Sequence, residues 1–251
     1  MSPRAKKQSN PVSTGSGGGR LENHVQAAFA VLMLTGRIAP CLPPWPITKL
    51  KLQGQYAGFD TEDFIAFTKD YQTGREAKLL AQIKHTIHIT EGNKSFGEVI
   101  QAAWNDFNNS KIFSRDTDAI ALIIGPLNAT DTNDVRPLLE WARHSEDENE
   151  FLLKVNTSYF CSNTKRAKLK AFRKHLRNAN GGKDLTDCQL WEFLKHFYLL
   201  GYDLDTESGG TLPLLQSLIA QSSNDNPAKI WKNLVVEIQT FNQTAGTLSL
   251  E

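Results

Sequence analysis

The stretch Gly58 to Lys84, GFDTEDFIAFTKDYQTGREAKLLAQIK, decides how this chain is read, because two apolar runs in it flank a polar turn. The first run is Phe64-Ile65-Ala66-Phe67-Thr68. A polar segment from Lys69 to Lys78 follows, and then a second run from Leu79 to Thr90. Runs of this length bounded by turn residues predict a β-hairpin with a long loop. Strand residues two apart share a face, so Gln82 and Lys84 project together. Ile83 then faces the core, with Ala81, Ile87 and Ile89 on its side. If the hairpin is symmetric about Gln72-Thr73, Asp63 falls directly opposite Gln82.

A carboxylate, an amide and an ammonium meeting on an apolar sheet need a reason, since burying them costs several kcal/mol unless they are paired or bind a cation. Hydrolytic metal chemistry supplies one. Asp63 and the amide oxygen of Gln82 are hard donors suited to Mg²⁺, with Mn²⁺ as a substitute, and Mg²⁺ keeps several of its waters. Lys84 is placed to orient a bound water and to stabilise charge on a phosphodiester in the transition state. Glu22, in the first turn of an opening helix, closes the site through a water.

Working outward, residues 1 to 19 are Gly/Ser-rich and carry Arg4, Lys6 and Lys7, which predicts a flexible basic arm. Leu21 to Thr35 is helix-forming and ends at Gly36 as the residue past the cap. Four prolines between Pro40 and Pro46 impose an irregular connection before a strand at Ile47 to Gln53. Ser95 with Glu98 resembles a capping box, and Phe96, Val99, Ile100, Ala103 and Phe107 follow at helical spacing. Asp118 to Gly125 is a continuous apolar run and predicts a buried strand. The expected fold is therefore α/β: an αβββαβ core over residues 20 to 130 with a mixed sheet, its last helix crossing over to a parallel strand.

A mainly helical part is expected over 131 to 251. Its helices fall at Asp134 to Ser145, Thr164 to Asn178, Thr186 to Leu199, Leu212 to Ser222 and Pro227 to Thr240. Thr247 to Glu251 reads as the opening of a strand, either leading into further domains of a longer protein or forming a short edge. Trp104, Trp141, Trp191 and Trp231 have apolar neighbours and are expected in the core.

Composition narrows the class. No apolar run approaches the ~18 residues of a bilayer span, so a membrane protein is not expected. The three cysteines, Cys41, Cys161 and Cys188, lack metal-ligand spacing and are odd in number, which fits a reducing cytoplasm. The net charge of +1 is unevenly spread: Phe151 to Lys183 contains no Asp or Glu. Lys165, Arg166, Lys168, Lys170, Arg173, Lys174 and Arg177 lie on one expected helix there, whose Leu169, Phe172 and Leu176 form an apolar seam. Segregated charge of this kind is the footprint of phosphate contact, and the helix is the candidate DNA-backbone clamp. The competing reading is a solvated helix face.

Glu22 on an opening helix, an Asp at a strand head and Gln82-Ile83-Lys84 on the next strand resemble the active-site pattern of PD-(D/E)XK nucleases. The Gln is similar to the QxK variant of the Mrr-like branch, and Asp63 is favoured over Asp60 as the family Asp. Leu21-Glu22-Asn23-His24, Gly58 to Asp63 and Leu80 to His85 further resemble the N-terminal nuclease effector of antiviral STAND-type ATPases. The resemblance covers residues 20 to 125 and implies a restriction-endonuclease-like core. It also implies a Mg²⁺-dependent endodeoxyribonuclease acting on double-stranded DNA in antiphage defence, active as a homo-oligomer such as a tetramer. No Walker A pattern is present, so the chain itself is not the ATPase. The alternative is a non-catalytic nucleic-acid-binding or oligomerisation module, for which Lys84 would be dispensable. Cleavage of RNA is a third reading.

Overall fold

A computed structural model describes residues 16–250. The elements are α1 (Ser16–Leu34), β1 (Ile47–Leu52), β2 (Phe64–Lys69), β3 (Glu76–Lys84), α2 (Lys94–Phe107), β4 (Ala119–Ile124), α3 (Arg136–Arg143) and α4 (Glu148–Asn156). They continue with α5 (Asn163–Ala179), α6 (Asp187–His196), β5 (Phe197–Gly201), α7 (Thr211–Ser222), α8 (Pro227–Gln243) and β6 (Thr247–Ser249). The fold is α/β, and its one mixed sheet of six strands runs in the order β5-β4-β3-β2-β1-β6.

The hairpin forms as its sequence dictates. β2 pairs antiparallel with β3 from Phe64 against Ala81 to Lys69 against Glu76, a register centred on Gln72-Thr73. β4 then lies parallel to β3, Gln82 beside Leu122 and Lys84 beside Ile124, after the α2 crossover. Alternation sends the strand side chains into two cores. Ile65, Leu80, Ile120 and Leu122 pack under α2, α3, α5 and α6, while Phe64, Leu79, Ala81, Ile83 and Ile123 pack under α1, α7 and α8. Both faces of the sheet are therefore covered, and the strands read as continuous apolar runs for that reason.

Several expectations change. Ser16 to Gly19 belong to α1, so the expected arm does not extend to 19; its residues 1–15 lie outside the described residues. Gly36 takes φ +65 past the helix end, where its N–H donates to the Met33 carbonyl at 3.0 Å, as a residue without Cβ allows. β3 stops at Lys84, so His85 to Thr90 is not strand. Ile87 and Ile89 turn into the α2/α5 core rather than lying beside Ala81 and Ile83. The cap of α2 is Asn93, whose side chain accepts from Phe96 N–H, not Ser95.

The second half also contributes strands to the sheet. Phe197–Gly201, whose residues up to Leu199 are expected as the tail of a helix, is β5 and pairs parallel with β4. β6 pairs antiparallel with β1 at the other edge. Trp104, Trp191 and Trp231 are buried, and Trp141 packs against the core while partly exposed.

Candidate functional site

Asp63 ends the loop before β2, and two features of the chain place it. α2 presents the buried Asp106, whose two carboxylate oxygens accept from the Asp60 and Thr61 N–H groups, each at 2.8 Å. This clamps the loop from below. Asp63 Oδ2 then accepts from the Ile83 N–H, which ties it across to β3 beside Gln82. Both Asp63 and Gln82 are buried, and among the described residues no side-chain hydrogen bond is made to the Gln82 amide. Asp60, the runner-up ligand, does not join them; its Oδ2 accepts from Asn105 Nδ2 of α2 at 2.7 Å.

Glu22 enters from α1 on a frame of amides that carries no local signature. Its Oε1 accepts from Gln26 Nε2 at 3.2 Å and from Gln53 Nε2 at 3.0 Å. Gln26 Nε2 also donates to the Asp63 carbonyl at 3.1 Å, so one buried amide links both acidic residues. Asn242 of α8 donates to Asn23 Oδ1 at 2.8 Å and to Gln26 Oε1 at 2.5 Å, and accepts from Gln53 at 3.4 Å. The C-terminal helix thus completes the support of a residue near the start of the chain.

The electrostatics bind Glu22, Asp63 and Lys84 into one cluster. Burial pushes the Glu22 carboxyl from its ordinary 4.5 up to about 8; the Asp63 charge adds to the rise, and Gln26, Lys84 and Gln53 oppose it. Burial likewise raises Asp63 to about 6, with the Lys84 ammonium and the Ile83 N–H pulling it back and Glu62 pushing it up. Two carboxyls that repel each other in a dry place share a proton or take up a cation. Glu22, Asp63 and the Gln82 amide offer hard oxygens for a cation, but only two of the three are carboxylates. Among the described residues no group of three or more His, Cys, Asp or Glu is gathered to hold a metal ion.

The basic helix is α5, and its seam of Leu169, Phe172 and Leu176 is buried as expected. Most of its cations, however, hold the fold together. Lys165 is buried, 3.9 Å from Asp134 and 4.8 Å from the centre of the Trp141 ring. Arg166 donates to the Val155 and Thr157 carbonyls, and Lys168 to the Ile89 carbonyl at 2.9 Å. Arg173 pairs with Asp187 at 2.6 Å and Arg177 with Asp184 at 3.5 Å. Lys170 and Lys174 stand exposed. Of seven positive charges in sequence, Lys170 and Lys174 are the two exposed ones without an ion pair among those described, and Arg177 is exposed beside Asp184.

No protein-family model and no curated protein matches the sequence. Solved structures of the Acinetobacter baumannii Cap4 SAVED/CARF-domain containing receptor are similar in outline. The form with the cyclic trinucleotide 3'3'3'-cAAA is 11% identical with a TM-score of 0.48, covering 95% of this chain and 46% of that one. The form with 2'3'3'-cAAA is 12% identical at 0.49, covering 94% and 43%. The receptor described without a ligand is 12% identical at 0.48, covering 95% and 45%. This chain thus spans less than half the length of those proteins.

The expected membership of the PD-(D/E)XK superfamily is corrected on these findings. The similar structures are described as SAVED/CARF-domain containing receptors, two of them with a cyclic trinucleotide. The Mg²⁺-dependent endodeoxyribonuclease, its cutting oligomer and double-stranded DNA as partner are withdrawn with it. Among the described residues no helix is long and apolar enough to cross a membrane.

Proposed function

We propose that this chain is a non-catalytic binding module for short oligonucleotides, with Lys84 as its central phosphate contact. The observation that carries the proposal is the place of Lys84 at the end of β3, where its charge acts on the buried Asp63 and the half-buried Glu22, in a sheet otherwise packed on both faces. Lys84 is half-buried on a strand, and a cation carried by a rigid element recognises phosphate with less entropy lost than one on a mobile loop. Lys170 and Lys174 on α5 serve as outer contacts to the backbone of the ligand. Glu22, Asp63 and the Gln82 amide oxygen would hold a divalent cation such as Mg²⁺ or Mn²⁺. That ion supplies positive charge beside Lys84, which offsets the repulsion between the carboxyls and a phosphate.

The test uses the whole chain with a cyclic trinucleotide and with linear oligonucleotides of similar size. Binding is followed by calorimetry with Mg²⁺, with EDTA and in Lys84→Ala, and the ligand is then recovered and sized. A charge-assisted contact is worth ~1.5–3 kcal/mol, so Lys84→Ala is expected to weaken binding by about 10- to 100-fold. Intact ligand is expected on recovery. Shortened ligand would refute the non-catalytic reading, and unchanged affinity in Lys84→Ala would refute the placement of the site.

A further inference from the structure

A second polar pocket opens where β3 and β4 end, between the loop that follows each strand. It encloses about 370 Å³ and is lined chiefly by His88, Ile89, Asn128, Thr130, Asp131 and Lys168. Asp131 is only 3% exposed and begins a π-helical turn, Asp131–Val135. Its place is set by reciprocal hydrogen bonds: Asn128 Nδ2 donates to Asp131 Oδ2 at 2.6 Å, and the Asp131 N–H donates to Asn128 Oδ1 at 2.9 Å. Lys168 reaches in from α5 and donates to the Ile89 carbonyl, with charge enough at Asp131 to oppose the effect of burial on its carboxyl. His88 also acts on Asp131, and its own ring is exposed.

The charges select the ligand by exclusion. An anion would enter against the Asp131 carboxyl, and a cation against the Lys168 ammonium. A neutral group that donates at one atom and accepts at its neighbour satisfies both. The volume falls within the range of small-molecule sites, and the exposed His88 ring offers a face for a flat group. The amino-bearing edge of a nucleobase has this chemistry: in adenine an exocyclic N–H₂ lies beside a ring nitrogen acceptor.

We propose that this pocket takes a single amino-bearing nucleobase, Asp131 accepting from its amino group while Lys168 donates to the adjacent ring nitrogen. The choice of a base rather than another neutral amide rests on the oligonucleotide reading given above. Thr130 offers a further hydroxyl at the rim, and the imidazole of His88 stacks on the base.

The experiment titrates the full chain with adenosine, purine riboside and inorganic phosphate, followed by NMR. Purine riboside keeps the ring nitrogens and lacks the amino group, which leaves Asp131 without a donor. Adenosine is expected to bind at least about tenfold more tightly than purine riboside, because a site built for a donor rejects the analogue lacking it. Phosphate is not expected to compete. In Asp131→Leu the preference for adenosine should collapse; should that variant fail to fold, the wild-type comparison of adenosine with purine riboside decides alone. Equal binding of the two nucleosides, competition by phosphate or no adenosine binding at millimolar concentration would overturn the proposal. Lys84→Ala separates this pocket from the phosphate site: it should weaken oligonucleotides and leave adenosine unchanged. Adenosine failing while oligonucleotides still bind would sink the base pocket alone.

Discussion

Replacing Glu22 with Gln isolates the proton held by the cluster. The side-chain oxygen that accepts from Gln26 and Gln53 is kept, and only the titration is lost. In the unfolded chain this carboxyl ionises near 4.5, and in the fold near 8. Between these values the native state binds more protons than the unfolded one, so stability falls as pH rises. The contribution is complete below 4.5 and gone above about 8. At ~1.4 kcal/mol per pH unit that interval sets a ceiling of ~5 kcal/mol, and partial exposure of Glu22 together with the nearby Lys84 reduces it to ~2–3 kcal/mol. Urea unfolding in EDTA at pH 5, 7 and 9 measures it. Glu22→Gln should match the wild type at pH 5 and exceed it by ~2–3 kcal/mol at pH 9. Parallel pH profiles for the two proteins would show that Glu22 is not the buried proton carrier and would refute the argument.

Two further substitutions test the packing that positions the site. A Cβ on Gly97 would lie 2.9 Å from His175 Nδ1, so Gly97→Ala should lose ~1–2 kcal/mol by overpacking despite its better helix propensity. Thermal unfolding of Gly97→Ala with and without His175→Ala checks this, the second change being expected to relieve the first. Removing Asp106 leaves the Asp60 and Thr61 N–H groups without their acceptor, and Asp106→Ala should cost ~2–4 kcal/mol. Hydrogen exchange would then be expected to speed up at those two amides well before the sheet amides respond. Equal rates in both would mean that the loop holds itself.

What was legible in the sequence followed from strict periods. The hairpin register could be read because side chains on strands repeat every two residues and the loop is symmetric about Gln72-Thr73. Placing Asp63 opposite Gln82 needed no tertiary knowledge, and the buried strand at Ala119–Ile124 was visible as an unbroken apolar run. The same period misled beyond Lys84. His85-Thr86-Ile87-His88-Ile89-Thr90 alternates like a strand, yet Ile87 and Ile89 are drawn into the helix-side core as a loop. β5 was hidden because Phe197-Tyr198-Leu199-Leu200 follows a helix without a turn residue between them.

The basic helix misled for a different reason. Counting its charges gives the field an isolated helix would have, while the carbonyls of Ile89, Val155 and Thr157 that absorb its donors are visible only once the chain has folded. Nothing local marks Gln26, Gln53 and Asn242 as one network; they are ordinary polar residues until β1, α1 and α8 converge. The pocket around Asp131 was equally hidden, since Asp131 is one of several acids in a polar stretch before α3.

Both edge strands of the sheet follow its four inner strands in the sequence. When residues up to Ile124 have been made, β4-β3-β2-β1 can already assemble, but β4 lies bare until Phe197–Gly201 is present and β1 until Thr247–Ser249 follows. Bare strand edges are templates for pairing with any other chain. During synthesis on the ribosome, then, the part up to Ile124 presents two six-residue edges for a time. Emergence of Phe197–Gly201 and Thr247–Ser249 replaces them with shorter ones, which are poorer templates.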